Sequence, residues 1–223
     1  MVRPRLLDLF CGAGGAAMGY HRAGFEVVGV DIVPQRRYPF EFIQADAIEY
    51  LSETGAAGFD AIHASPPCQF YSIMRNLPWL KDREYWDSIP PTRAALQAIG
   101  LPYVMENVER APVDGVTLCG QMFGLNWPDG RPIYRHRRFE GTFFALAPAH
   151  PKHYRTIQAG RMLGSRGHTG AGDGRLVVNG RTRVNGAAVG IDWMTSTELS
   201  QAIPPAFTEW VGRHLLQAVE RAA

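Results

Sequence analysis

The feature that most constrains the fold is a glycine-rich turn between a short apolar segment and a helical segment. The apolar segment is RLLDLF at residues 5–10, and the turn that follows it is CGAGG at residues 11–15. A second β-branched run, VVGVDI at residues 27–32, comes next and carries Asp31 near its end. A glycine-rich first turn lets the backbone approach a ligand at the carboxyl ends of parallel strands, so this unit predicts the start of an open α/β sheet.

Further apolar runs continue the alternation of strands and helices. Residues 41–48, 58–64 and 101–107 have the β-branched and apolar character of strands, whereas residues 51–55 and 92–99 have helical propensity. Strands that alternate with helices predict a doubly wound, mostly parallel α/β sheet with right-handed crossovers.

The remainder of the chain has a different character. Glycine and arginine are frequent and periodicity is poor in residues 141–190, which predicts a small, basic insert made of loops or a β-hairpin. Residues 208–223, TEWVGRHLLQAVERAA, place apolar residues at helical spacing. We expect this tail to form a terminal helix that packs back on the sheet.

Composition excludes several classes of protein. Hydrophobic residues make up 46% and charged residues 20% of the chain, as in globular proteins. Charge, glycine or proline interrupts every apolar run before the roughly 18 residues of a membrane span, and the first residues do not resemble a signal peptide. Cys11, Cys68 and Cys119 are an odd number without CxxC spacing, which predicts neither a disulfide framework nor a zinc site. We therefore expect a reduced, cytoplasmic protein, and we separately expect a monomer.

Positive charge is concentrated in one part of the chain. The net charge is +2, yet residues 131–191 carry eleven Arg or Lys against two Asp or Glu, whereas residues 1–130 carry ten against fifteen. A basic segment between acidic flanks is typical of a scaffold that binds a polyanion, and nucleic acid is the leading partner. Arg accounts for 21 of the 23 basic residues and suits bidentate contacts to phosphate, although a GC-rich genome would produce the same excess.

Two acids lie near the ends of predicted strands, at the edge of the sheet where a ligand would bind. Asp31 lies about 20 residues after the glycine turn, where a carboxylate accepts hydrogen bonds from ribose hydroxyls, and Asp46 is placed to meet an adenine amino group. Each acid could instead be a cap at a strand end. The turn lacks both GxGxxG spacing and a GKT or GKS sequence, which disfavours a dinucleotide or a P-loop triphosphate.

A cysteine and a glutamate follow the next two predicted strands. Cys68 lies in SPPCQ, where two prolines stiffen the backbone, and Glu106 lies in MENV. A buried structural thiol is the ordinary fate of a free cysteine, and Cys11 and Cys119 fit it. The turn position of Cys68 and the acid at a neighbouring strand end favour a nucleophilic thiolate with an acid-base partner.

Taken together, these motifs resemble a known family. The segments DLFCGAGG, VDI, QADA, SPPCQ, MENV and RHRRFE, in this order, resemble the DNA (cytosine-5) methyltransferases. The resemblance covers residues 5–140 closely and residues 194–212 more loosely, and the short chain with its LCGQMFGL stretch is similar to small phage-encoded or orphan members. It implies a Rossmann-like class I methyltransferase fold, S-adenosyl-L-methionine as cofactor and double-stranded DNA as partner.

The resemblance also implies a mechanism and its residues. Cys68 would add to C6 of a flipped-out cytosine while Glu106 protonates N3, and C5 would then take the methyl group without help from a metal. Asn107 would orient the turn that carries Glu106. Arg135 and Arg137 match the family's Arg-x-Arg element, which contacts the flipped nucleotide.

A cofactor site is implied at the glycine turn, the strand-end acids and the C-terminal region. Its members would be Phe10, Gly12, Gly14, Asp31, Ile32, Asp46, Pro67 and Gln201. Asp31 would meet the ribose, Asp46 the adenine amino group and Ile32 the adenine face. Gln201 lies in SQAIPP, where the family has GNAVPP, so this match departs from the pattern.

The implied organisation has three parts. Residues 1–140 would form the cofactor-binding and catalytic domain, residues 141–190 a small target-recognition insert, and residues 191–223 a segment that completes the catalytic domain. Residues 69–87 match the family's mobile loop over the flipped base. The insert would read DNA with basic and ring side chains, namely Arg155, Arg161, Arg166, Arg175, Arg181, Arg183, His153, Tyr154 and His168. So small an insert predicts a short or permissive target sequence.

Alternatives to this function remain at the level of the sequence. The same chemistry could act on tRNA, because a basic insert suits either nucleic acid. The chain could be a catalytically idle DNA-binding relic, although such a relic needs neither Cys68 nor Glu106. A group other than methyl could also be transferred, since one or two pocket residues would decide that.

Overall fold

The computed structural model describes residues 2–72, 83–127, 130, 132–143, 145–152 and 183–222. Within these residues, seven strands form one sheet: β1 (Arg5–Leu9), β2 (Glu26–Asp31), β3 (Glu41–Gln44), β4 (Ala61–Ala64), β5 (Tyr103–Val108), β6 (Val116–Leu118) and β7 (Arg137–Gly141). The same part of the chain contains six α-helices: α1 (Gly15–Ala23), α2 (Ala47–Thr54), α3 (Ile89–Ile99), α4 (Arg183–Val189), α5 (Ser196–Gln201) and α6 (Pro205–Ala222).

The sheet has the strand order β3-β2-β1-β4-β5-β7-β6. The first five strands in this order are parallel, and β7 runs antiparallel between β5 and β6. Helices cover both faces, which explains why the central strand β1 is buried on both sides, with Leu6, Leu7 and Leu9 fully buried. The predicted doubly wound, mostly parallel sheet of Rossmann-like type is confirmed.

A hydrophobic core lies on each face of the sheet. Helices α1 and α6 cover one face, where Tyr20, Phe139 and Phe207 are buried together. Helices α2 and α3 cover the other face, where Leu51 and Leu96 pack on the strands. The carboxyl ends of the parallel strands are left at one edge, between the two helical layers.

The predicted terminal helix is present and begins three residues earlier than its apolar pattern suggests, at Pro205. It packs closely on α1, because Gly19 has no side chain at the contact and a Cβ there would meet the Thr208 hydroxyl and the Pro205 carbonyl. The Thr208 hydroxyl donates to the Ala16 carbonyl at 2.8 Å. This helix therefore ties the C-terminal region to the first βα unit.

One predicted element is wrong at its end. Residues 41–48 were expected to be a strand, but β3 stops at Gln44 and α2 begins at Ala47. The physical reason is Asp46, whose Oδ1 accepts from the backbone N–H groups of Ile48 and Glu49 and caps the helix. Helix α3 also starts earlier than expected, at Ile89.

Most of the predicted recognition insert lies outside the described residues. This applies to residues 153–182, which include His153, Tyr154 and five of the arginines expected to bind DNA. Helix α4 begins at Arg183, inside the predicted insert, and the three-part division of the chain stays a prediction. Among the described helices, none combines the length and apolar character that crossing a membrane requires.

A buried polar cluster lies beneath the glycine turn. Asp8 of β1 sits between Gly29 and His63 in the sheet register, and its side chain and that of His63 are fully buried. The Tyr38 hydroxyl donates to Asp8 Oδ2 at 3.3 Å, and the Tyr20 hydroxyl lies 2.9 Å from His63 Nδ1. His63 Nε2 and Asp8 Oδ1 are 3.9 Å apart and not hydrogen-bonded.

Burial keeps this pair neutral and not ionic. Burial raises the pKa of Asp8 to about 8 and lowers the pKa of His63 to about 3. Between pH 4 and pH 8 the folded chain therefore retains an Asp8 proton that the unfolded chain has lost, so stability falls as pH rises. His63 acts in the opposite direction, because the unfolded imidazole gains a proton below about pH 6.5.

We expect Asp8→Asn to remove the alkaline loss of stability. From pH 6.5 to pH 8 the wild-type chain should lose about 2 kcal/mol relative to the variant, since an amide keeps the Tyr38 contact without ionising. Urea unfolding at the two pH values measures this difference. The exposed Asp192→Asn is the matched control and should follow the wild type; equal pH dependence of Asp8→Asn and wild type would contradict the neutral carboxyl.

Candidate active site

The glycine turn after β1 has a backbone that leaves room for a ligand. Phe10, Gly12 and Gly14 all adopt positive φ, at 57°, 49° and 84°. A Cβ at Gly14 would lie 2.7 Å from the Pro39 ring, whereas a Cβ at Gly12 would meet nothing within 4 Å. Gly14 is therefore required by packing, and Gly12 borders open space.

Asp31 links the end of β2 to this turn. Its Oδ2 accepts from the Gly12 N–H at 3.0 Å, and its Oδ1 accepts from the Val33 N–H at 2.9 Å. Ile32 follows directly and is 65% exposed although apolar. The predicted ribose ligand, the predicted adenine contact and the glycine turn thus lie side by side.

Asp46 lies near the end of the neighbouring strand β3, where it was expected. The sequence left open a cap at a strand end, but the observed contacts are those of a helix N-cap, and both of them use Oδ1. Contact with an adenine amino group stays a prediction.

The C-terminal segment packs directly on the glycine turn. The Trp193 indole N–H donates to the Ala13 carbonyl at 2.8 Å, and a Cβ at Gly15 would lie 2.6 Å from the Ile203 carbonyl oxygen. Gln201 is exposed at the end of α5, two residues before Ile203. Trp193 was not predicted from the sequence, because its short neighbourhood Ile191-Asp192-Trp193-Met194 matches no motif of the resemblance.

The proline-cysteine turn after β4 is held from two sides. The Asn107 amide donates to the Pro66 carbonyl at 2.8 Å, and the Ser88 hydroxyl donates to the Pro67 carbonyl at 3.0 Å. The Cys68 carbonyl accepts from the backbone N–H groups of residues 71 and 72, while Pro67 is exposed. Asn107 was expected to orient the turn of Glu106, but its observed side-chain contact outside its own strand fixes the turn before Cys68.

The loop that follows Cys68 is closed at its base. The Tyr71 hydroxyl donates to the Asp87 carboxylate, and burial, reinforced by this bond, raises the pKa of Tyr71 to about 12. Residues 73–82, the centre of the predicted mobile loop, lie outside the described part of the chain. Together with the Ser88 contact, the Tyr71 bond holds both ends of this loop next to Cys68.

Glu106 of β5 is a buried carboxyl beside two arginines. Arg137 pairs with Val108 across the β5–β7 ladder, which puts it diagonally opposite Glu106 on the same face. Its Nε lies 2.9 Å from Glu106 Oε1 without the alignment of a hydrogen bond, and that oxygen has no hydrogen-bond partner among the described residues. Burial raises the pKa of Glu106 to about 7, while Arg137 and then Arg135 oppose the rise.

Arg135 connects this cluster to the C-terminal segment. Its Nη1 and Nη2 donate to the carbonyls of Leu199 and Ser200 at 3.2 and 2.8 Å. Burial, reinforced by Arg137, lowers the pKa of Arg135 to about 9, whereas Glu106 and Cys68 oppose this shift. Its Nε has no hydrogen-bond partner in the described part of the chain.

Cys68 lies within the electrostatic reach of all three charged groups. Burial raises the pKa of its thiol, Arg137 lowers it, Glu106 raises it and Arg135 lowers it. The structure thus brings together the five side chains that the sequence proposed for catalysis: Cys68, Glu106, Asn107, Arg135 and Arg137. A half-buried thiol and a buried acid beside fixed positive charge can perform nucleophilic addition with proton transfer.

The pKa of Cys68 should move in opposite directions in two variants. Arg137→Met removes a stabilising positive charge and should slow alkylation of Cys68 by iodoacetamide at pH 8, because less thiolate is present. Glu106→Gln removes a negative charge and should accelerate it. The rates are measured from pH 6 to pH 10 by mass spectrometry of the peptide that contains Cys68.

Arg138→Met is the matched control for this experiment. Arg138 lies next to Arg137 on β7, but strand alternation places it on the opposite face. Its alkylation profile should match that of the wild type. Shifts of Arg137→Met and Glu106→Gln in the same direction would contradict the electrostatic coupling.

Comparison with known proteins finds similarity in the N-terminal part of the chain. Residues 4–90 match the model of the family C-5 cytosine-specific DNA methylase. The chain is 32% identical over 89 residues to the Type II methyltransferase M.XorII of Xanthomonas oryzae pv. oryzae and 34% identical over 85 residues to the Type II methyltransferase M.FnuDI of Fusobacterium nucleatum. These matches cover 33% and 35% of this chain but only 21% and 24% of the two relatives.

Solved structures show more distant likeness. The S. pombe Dnmt2 methyltransferase has 16% sequence identity and a TM-score of 0.41, with 62% of this chain and 48% of that chain covered. A DNA modification methyltransferase encoded within a prophage (E. coli) has 22% identity and a TM-score of 0.40, with 61% and 45% covered. TM-scores this low bear on neither substrate nor mechanism.

The matched segment contains the glycine turn, both strand-end acids and the proline-cysteine turn, whereas Glu106 and the two arginines lie beyond it. The family resemblance noted from the motifs is therefore confirmed by an independent comparison for this segment. Residues 4–90 of the chain thus match the C-5 cytosine-specific DNA methylase family in both their motifs and the family model.

Proposed function

We propose that this protein transfers a methyl group from S-adenosyl-L-methionine to C5 of a cytosine in DNA, through a covalent bond between Cys68 and C6 of a flipped-out base. The observation that carries the proposal is the gathering of Cys68, Glu106 and Arg137 at neighbouring strand ends, with Glu106 Oε1 2.9 Å from Arg137 Nε. The family of residues 4–90 supplies the substrate class.

The turn after β1 suits the cofactor. Open space beside Gly12 leaves room for a ligand against the backbone, and Asp31 offers carboxylate oxygens at the rim of the same turn. The exposed apolar side chain of Ile32 is available to a flat ring. Phe10, Gly14, Asp46, Pro67 and Gln201 would complete the site. When bound there, S-adenosyl-L-methionine supplies an electrophilic methyl group on a positively charged sulfur.

Cys68 and Glu106 divide the activation of cytosine between them. The Cys68 thiolate forms a bond to C6, and the Glu106 proton passes to N3, so that the electron pair of the C5–C6 double bond makes C5 nucleophilic. After methylation of C5, solvent base removes the C5 proton, the electron pair of that C–H bond re-forms the C5–C6 double bond and expels the Cys68 thiolate, and N3 returns its proton to Glu106. A stacked base cannot present C6 and N3 to one protein edge, so the base must leave the duplex.

Arg137 and Arg135 lower the pKa of Glu106. Burial alone favours a protonated Glu106, and the two guanidinium groups bring its pKa back to about 7. Glu106 can therefore donate a proton at neutral pH and be ionised again afterwards. Arg137 would also meet the negative charge of the nucleotide, and the basic insert would hold the DNA backbone.

Replacement of the thiol tests the covalent step. We expect Cys68→Ala to abolish transfer of tritium from labelled S-adenosyl-L-methionine to duplex DNA while leaving cofactor binding, measured by calorimetry, unchanged. Wild-type protein should also form a stable adduct with DNA that contains 5-fluorocytosine, since fluorine at C5 cannot leave as a proton. Methylation by Cys68→Ala at the wild-type rate would refute the nucleophile.

The substrate is tested in the same assay with duplex DNA, tRNA or neither. Label in DNA, followed by bisulfite sequencing, would establish the modified base and the length of the target sequence. Label in tRNA alone would overturn DNA as substrate and retain the chemistry. A protein that binds DNA but transfers no label would be the idle relic.

The pH dependence should follow the proton shared by Cys68 and Glu106. Between about pH 7 and the higher pKa of the thiol, the pair carries one proton, and the reactive arrangement has this proton on Glu106. Single-turnover rates should therefore rise through about pH 7 and fall only above the thiol pKa. In Glu106→Gln the rising limb should move up to the pKa of Cys68, and a limb that stays near pH 7 would contradict the assignment.

A further inference from the structure

Three metal-ligating side chains meet beside β7, outside the site described above. Cys119 follows β6, His136 precedes β7, and His150 lies beyond it. One ligand atom from each residue lies within 4.8 Å of the other two. Cys119 is buried, His136 is partly buried and His150 is exposed, so the cluster reaches from the core to the surface.

The spacing of these atoms suits a tetrahedral centre. His136 Nε2 and His150 Nε2 are 3.2 Å apart. Two imidazole nitrogens at the usual zinc–nitrogen distance of a tetrahedral site are separated by about 3.4 Å. The two histidine nitrogens thus already have about the separation that a shared cation requires.

The sulfur of Cys119 is held by its own turn. Cys119 is the N-cap of a 3₁₀ helix at Gly120–Phe123, and its side chain accepts from the backbone N–H of Met122. The thiol donates to the Tyr134 carbonyl at 3.2 Å. Coordination would replace that thiol proton by the metal, and the proton would leave to solvent while both imidazoles bind in their neutral form.

We propose that Cys119, His136 and His150 form a binding site for a borderline-soft divalent cation of the zinc class, with the fourth position open to water. One thiolate and two imidazoles are a donor set that zinc accepts, and hard cations such as magnesium prefer oxygen. The sequence predicted no zinc site because the cysteines lack CxxC spacing, and the three ligands of this cluster are spread over residues 119–150.

At this location, a bound cation would position two neighbouring segments of the chain. His136 lies between Arg135 and Arg137, so a metal on its ring would fix the backbone that presents both guanidinium groups. His150 lies three residues before the start of the undescribed stretch of the predicted recognition insert. A cation would fasten this end of the insert to the sheet through Cys119.

Metal binding by the full-length protein tests the site directly. Protein stripped with a chelator is titrated with Co²⁺, whose binding to a thiolate gives charge-transfer absorption, and then with Zn²⁺ in competition. We expect one equivalent of metal and a higher Tm on binding. His150→Ala, a change at an exposed side chain, should weaken binding at least about tenfold, and Cys119→Ser should abolish the charge-transfer band.

Cys11→Ser and His214→Ala are the matched controls, since they remove a buried thiol and a ring outside the cluster. Both should bind Co²⁺ as the wild type does. Absence of the charge-transfer band in the wild type, or equal affinity of His150→Ala and wild type, would overturn the site and leave an ordinary contact between two imidazoles. The metal readout is independent of methyl transfer, so failure of the proposed function would not decide it.

Discussion

The candidate site depends on one balance, between the burial of Glu106 and the positive charge beside it. Burial raises the pKa of the carboxyl, and Arg137 and Arg135 hold the rise to about 7. This balance requires β7 to run antiparallel between β5 and β6, because that position puts Arg137 on the face of Glu106. The electrostatics of the candidate site therefore depend on the antiparallel strand β7, which lies next to the edge strand β6.

Two consecutive residues of β5, Glu106 and Asn107, make different contacts. Side chains alternate between the faces of a strand, so Glu106 and Asn107 point in opposite directions. Glu106 meets Arg137, while Asn107 donates to the Pro66 carbonyl and holds the turn that carries Cys68. The proposed nucleophile, Cys68, and its proposed acid partner, Glu106, are thus held in place by a single short piece of backbone.

The C-terminal segment connects the two halves of the site. Trp193 donates to the glycine turn at Ala13, and Arg135 donates to the carbonyls of Leu199 and Ser200. The residues proposed to hold the cofactor and those proposed to act on the base are therefore supported by the same stretch of chain. Its anchoring by α6 against α1 follows from close contact at Gly19.

By itself, the sequence predicted the five parallel strands, the glycine turn, and the positions of Asp31 at a strand end and of Cys68 after one, whereas Glu106, expected after its strand, lies inside β5. Such features follow from local periodicity and from short-range turn chemistry, which neighbouring residues carry. Asp46 shows the limit of local patterns, since an acid after a strand suits a helix cap as well as a ligand, and only the structure shows the cap.

Only the tertiary structure decided the protonation and partners of these groups. The neutral Asp8, the Glu106 carboxyl with a pKa of about 7 and the meeting of Cys119 with two histidines all depend on residues far apart in the chain. Burial and charge are set by which segments the fold brings together. The antiparallel strand β7, which places Arg137 beside Glu106, left no local signal in the sequence. The sequence pointed to the candidate reactive groups, and the packing of distant segments set how readily each one holds or loses a proton.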